Sequence, residues 1–153
     1  MKRLSFLVVI GVLLAACGGS SRLSKAQYQQ RLTVDSNAVQ KVITQLTNAG
    51  SSSTLAGFAT KIDAAEAAVK KAADDLAAAK PPKDVEADNA TVVTALRKIQ
   101  SSFEKMKTAA GSGGSTAVLA ATAALERSPE LKAAERAIGD LKSKGYDVGV
   151  LGS

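Results

Sequence analysis

The chain has 153 residues with 20 basic and 14 acidic groups, a formal charge of +6, and is 46% hydrophobic but only 3% aromatic. It contains one cysteine and neither histidine nor tryptophan. These absences remove the usual general bases, imidazole metal ligands and paired thiols, forbid an intrachain disulfide, and leave little to stack on bases. No cofactor, no metal site and no nucleic-acid partner is expected, and an enzyme is possible only through Ser, Lys, Asp or Glu.

The first element follows Met1-Lys2-Arg3: residues 4–16, LSFLVVIGVLLAA, carry no charge. That length suits the apolar region of a signal peptide and falls short of the roughly 20 residues a spanning helix needs. Residues 1–16 are read as an export signal. The border Leu14-Ala15-Ala16-Cys17 resembles the lipobox of bacterial lipoproteins. The resemblance implies that the Cys17 sulfur receives a diacylglyceryl group, that cleavage occurs just before it, and that its new amino group is often acylated. The protein is then expected at the cell membrane, lipid-anchored through Cys17 and facing the extracytoplasmic side. Two acyl chains anchor stably where one binds only marginally. The rest of the tether, residues 18–23, is GGSSRL, with a reach of about 13 Å for a flexible chain. Arg22, Lys25 and Arg31 lie beside the anchor, placed to add attraction to anionic headgroups.

The remaining residues, 24–145, predict helices. Ser24 and Gln27 match a capping box, and Tyr28, Leu32, Val39, Val42, Ile43 and Leu46 form the stripe of a first helix, with NAGSSS at residues 48–53 as its stop. In a second, Leu55, Phe58, Ile62, Ala65, Val69, Ala72, Leu76 and Ala79 alternate steps of three and four, the spacing of a seam against another helix. Pro81-Pro82 stop it. A third shows Val85, Val92, Leu96, Ile99, Phe103, Met106 and Ala110. Asn89 falls on that seam, as a register-fixing polar residue or as an exposed position near the helix start. After GSGGS at 111–115, a fourth carries Val118, Ala121 and Leu125 until Ser128-Pro129-Glu130, a fresh start signal, resets it. Leu131, Ala134, Ile138 and Leu141 continue to Gly145, a helix stop. Residues 146–153 form a tail whose Tyr146, Val148 and Leu151 are placed to fold back. The expected fold is all-α, an antiparallel up-down four-helix bundle with the last helix broken or kinked near Ser128-Pro129.

Several groupings were weighed for chemistry. Asp84, Glu86 and Asp88 alternate as a calcium loop begins, but Asn89 and Ala95 stand where glycine and glutamate are required, so the acids are read as complementing a helix N-terminus. The GSGGS loop lacks the Lys-Ser or Lys-Thr of a phosphate loop. Ser102-Phe103-Glu104-Lys105 matches S-x-x-K, but the partner motifs of penicillin-binding enzymes are missing. No catalytic, cofactor-binding or metal residue is assigned; Cys17, the lipidation site, stands alone.

With Pro81-Pro82 joining two amphipathic helices, residues 24–110 resemble small, alanine-rich helical lipoproteins of high-GC Gram-positive bacteria, a likeness that implies a class and no site. The short tether and the helical patterning leave two functions expected. The first is a protein-interaction or scaffold module at the cell envelope, engaging an envelope protein. The second is a binding module holding a small apolar or lipid ligand in the bundle interior, which requires a dry cavity there.

Overall fold

The first helix begins where the sequence places its capping box. The Ser24 amide donates to Gln27 Oε1 at 2.9 Å, and the Gln27 amide donates back to Ser24 Oγ at 3.3 Å. Two donors that every helix N-terminus leaves orphaned are thereby satisfied. The computed structural model describes residues 22–50, 55–112 and 114–152. The expected signal segment, Cys17 and the start of the tether lie outside them.

From the cap, α1 runs Lys25–Gly50, followed by α2 Leu55–Ala78, a 3₁₀ turn Lys83–Val85, α3 Glu86–Gly111, α4 Ser115–Glu126, α5 Pro129–Ser143 and a 3₁₀ turn Gly149–Gly152. All regular structure among the described residues is helical, as the patterning predicts. The first helix ends inside the stop expected at residues 48–53. Neither Asn48 nor Ala49 interrupts the backbone ladder, so α1 continues to Gly50.

The expected break near Ser128-Pro129 separates two full helices, giving five and not four. Ser128 is extended at φ −67°, ψ 139°, and accepts from the Leu131 amide, with Pro129 opening α5 and Glu130 in its first turn. At the other end Gly145 adopts φ 74°. The Gly145 amide donates to Lys142 O at 2.8 Å and the Tyr146 amide to Leu141 O at 2.9 Å, the Schellman closure that a glycine makes possible. Buried Leu141 and Tyr146 supply its hydrophobic contact.

Contacts between helices fix their directions. The Leu23 amide bonds Lys80 O, and Arg31 faces Asp75 at 3.7 Å, so α1 and α2 are antiparallel. Lys107 pairs with Asp63, while Asn89 reaches Leu76, making α2 and α3 antiparallel. Along α3, Thr122 lies by Met106, Glu130 by Lys98 and Lys144 by Asp88, so both α4 and α5 run back against it.

The core follows the predicted seams. Ile62, Ala65, Val69, Ala72 and Leu76 from α2 are buried against Val85, Val92, Leu96, Phe103 and Met106. Tyr28 and Leu32 close the α1 side, and Leu141, Tyr146 and Val148 the last. Asn89 is buried, with both ends of its amide engaged. Its Oδ1 accepts from Tyr28 OH at 2.9 Å, and its Nδ2 donates to Leu76 O at 3.0 Å, one of the carbonyls orphaned at the end of α2. Burial, then Asp88 and Tyr146, hold the Tyr28 phenol well above its usual range, so it stays a donor. The Tyr146 ring meets Tyr28 edge-on at 5.9 Å. Gly149 at φ 58° lets the tail pass Ser36 and Thr33 closely enough that a side chain there would collide with Ser36 Oγ.

A buried carboxylate on α1 opposes folding. Asp35 on α1 is buried, and its Oδ2 has no hydrogen-bond partner. Burial first and Asp75 second raise its pKa to about 6, against the pull of Arg31 and Lys71.

Two predictions follow from these contacts. Asn89→Ala leaves a buried hydroxyl and a buried carbonyl unpaired and should cost about 2–4 kcal/mol; Tyr28→Phe, which orphans one acceptor, should cost about 1–2 kcal/mol, both read by urea unfolding. Because the folded protein binds the Asp35 proton more tightly than the unfolded chain, Asp35 adds stability as pH falls from above 6 toward the ordinary carboxylate value of 3.8. Asp35→Asn should therefore be more stable than wild type at pH 7, with the advantage shrinking toward pH 4, measured by thermal unfolding across that range.

Candidate functional site

The seams that close tightly near Tyr28 and Asn89 part toward the other end of the domain. The reason lies in α4, STAVLAATAALE. It is 12 residues long, starts at Gly114 without a side-chain cap, and none of its described residues is fully buried. Alanine side chains reach only a little way toward α1 and α3, and the chain turns away at Arg127-Ser128 before a longer one can fill the gap.

The result is an apolar groove of about 490 Å³. Ile43 and Leu46 come from late in α1, Phe58 from early in α2, and Ile99, Phe103 and Met106 from α3. Leu125 and Leu131 complete it from either side of the α4–α5 break. Phe103 and Met106 are buried and form the floor, while Ile43, Leu46, Phe58, Ile99, Leu125 and Leu131 are half-buried walls. That pattern leaves one side open to solvent.

Polar groups are sparse. The Thr122 hydroxyl donates to Val118 O at 3.0 Å and lies 3.8 Å from the Met106 sulfur, so its bond is spent within its own helix. Glu126, exposed at the rim, is the one ionisable side chain in the lining, and no ion pair engages it among the described residues. Measured along α1 at 1.5 Å per residue, Ile43 lies about 27 Å from Lys25 and the tether. An apolar cleft of this size with few polar groups has the character of a small-molecule site.

The other residues singled out in the sequence serve structure. Glu86 pairs with Arg22 at 2.9 Å, and Asp88 with Lys144 at 2.7 Å. Asp84 accepts from Tyr146 OH at 3.1 Å. These acids tie the tail and tether to the start of α3, and among the described residues no group of three or more potential ligands is arranged for a metal. The hydrogen bond to Asp88 raises the Lys144 pKa, and burial, with Asp84, raises that of Tyr146.

The basic residues Arg22 and Lys25 are similarly committed. Arg22 also donates to Pro81 O at 2.9 Å, and Lys25 donates to Lys144 O at 3.0 Å while covering the Tyr146 ring at 4.7 Å. Ser102 donates to Lys98 O at 3.0 Å, which leaves its hydroxyl turned to its own helix. In the GSGGS loop the Gly114 amide is used, bonding Ala109 O at 2.9 Å. Cys17 lies outside the described residues. No helix among those residues is long and apolar enough to cross a membrane.

Because the floor already faces open space on one side, Phe103→Ala should cost about 3 kcal/mol, the low end for a buried phenylalanine, in urea unfolding. Leu125→Ala on the half-buried wall should cost less, about 1–2 kcal/mol.

The chain matches no family model, and no curated protein or solved structure matches it.

Proposed function

We propose that this is a membrane-anchored extracytoplasmic lipoprotein whose helical domain holds a small apolar ligand. The anchor is diacylated Cys17, inferred from Leu14-Ala15-Ala16-Cys17 and the preceding apolar run. The domain works as an up-down bundle of four rods in which α4 and α5 together make the fourth, a reading supported by the shared antiparallel course of both helices along α3.

The observation that carries the ligand reading is the groove over Phe103 and Met106. Burial of apolar surface contributes about 25 cal/mol per Å², so a ligand that covers the half-buried walls is retained without specific hydrogen bonds. The groove favours ligand binding over a scaffold role. The exposed large apolar side chains Val34, Leu119 and Val150 sit on three different elements, the scattering expected of an ordinary surface.

Native mass spectrometry of the protein gently extracted from membranes tests this reading. A co-purifying apolar mass that is lost when Leu125 and Leu131 are both changed to Ser is the expected result. A protein that carries only its own Cys17 modification, and takes up no added apolar compound, would overturn it. Cys17→Ser should move the protein from the membrane fraction to the soluble one.

A further inference from the structure

The lining of the groove says more about its occupant than that it is apolar. We propose that it takes a single alkyl chain carrying a cationic head, with the chain over Phe103 and Met106 and the head at Glu126. This rests on the ligand-binding reading above.

Size selects the chain. At roughly 30 Å³ for a water-sized group, 490 Å³ holds on the order of 16 such groups, the scale of one alkyl chain and well short of a whole diacyl lipid. A partner helix is a poor fit. With side chains it is about 10–12 Å across and rises 5.4 Å per turn, so a single turn takes roughly 400–600 Å³ and fills the groove. Helix-in-groove recognition needs anchors spread over two turns or more.

Charge selects the head. Among the described residues of the lining no side chain offers a free donor, since the Thr122 hydroxyl is bonded to Val118 O. The ligand body must therefore be free of groups that demand hydrogen bonds, because a buried unpaired polar group costs several kcal/mol. At the rim stands Glu126, with no basic residue in the lining to neutralise it. A carboxylate or phosphate head placed there meets like charge, whereas an ammonium gains a partner. Leu125, one residue before Glu126, is itself part of the wall, so a chain seated against Leu125 brings its head to that carboxylate.

The test is competition against a fluorescent apolar probe in the unacylated full chain, using dodecylamine, dodecanol and dodecanoate below their micelle concentrations. An amphipathic helical peptide serves as a fourth competitor. The expected order is amine, alcohol, carboxylate, with the amine at least tenfold tighter than the carboxylate at pH 7. Glu126→Gln should bring that ratio near one, and Glu126→Lys should reverse it, with dodecanol affinity unchanged in both variants. Binding of all three with equal or reversed order in the wild type would overturn the cationic-head proposal while leaving the apolar site standing. Failure of every alkyl compound to displace the probe would overturn the ligand-binding reading itself. Displacement by the peptide alone would replace the alkyl ligand with a helical partner.

Discussion

The arrangement of this domain depends on a buried asparagine. Asn89 sits on a seam otherwise made of apolar side chains, which pack in many registers at similar energy. Its amide has only one pair of partners within reach, Tyr28 OH and Leu76 O. A shift of α3 by one turn against α1 and α2 would leave the Asn89 amide, the Tyr28 hydroxyl and the Leu76 carbonyl buried without partners, a cost of several kcal/mol against a total stability of about 5–15 kcal/mol. The interaction therefore specifies register more than it adds stability. It also recruits the tail, because Tyr28 is the ring on which Tyr146 packs, and Tyr146 in turn binds Asp84 and lies beneath Lys25.

The tether end is consequently the ordered end. Capping box, Schellman closure, ion pairs from Arg22 and Lys144, and the docked 3₁₀ turn converge within a few residues of where the chain leaves toward Cys17. Toward the opposite end the described polar ties between helices are the ion pairs of Lys107 with Asp63 and of Lys98 with Glu130. Its walls are half-buried and its fourth side is α4, a helix of 12 residues rich in alanine, shorter than the length at which an isolated helix is stable in water. The groove lies at the end of the domain away from the register that Asn89 sets. Asp35, a buried carboxylate with one oxygen unpaired, sits on α1 and makes α1–α2 packing respond to mild acid.

Helix identity was legible because each signal is local. Ser24–Gln27, Ser128-Pro129-Glu130 and Gly145 act within four residues of themselves, and seams of alternating threes and fours report burial directly, down to Ile62, Val69 and Val92. The end of α1 was legible to within a few residues: Gly50 lies inside the expected stop, and Asn48 weakens a helix without blocking it. Asn89 was recognisable as a polar residue on a seam, but its burial depends on Tyr28, 61 positions earlier, and no local pattern reports that. The groove was less legible still. A cavity is a deficit of volume among five elements, set by where α4 lies, and the sequence reveals only the ingredients: dense alanine beside a helix break. The commitment of Arg22, Lys25 and Lys144 to intramolecular partners was likewise invisible, since each partner is distant in the chain.

The most direct test of this polarity is amide hydrogen exchange read by mass spectrometry on the intact protein. The account predicts that residues 65–76 and 89–96 exchange only through global unfolding, whereas residues 116–126 exchange at least ~100-fold faster by local opening. Slower exchange confined to α4 and the late turns of α1 on adding an alkyl ligand would agree with it. Protection of α4 equal to that of α2 would contradict it, because the domain would then be uniformly packed and the groove would have no movable wall.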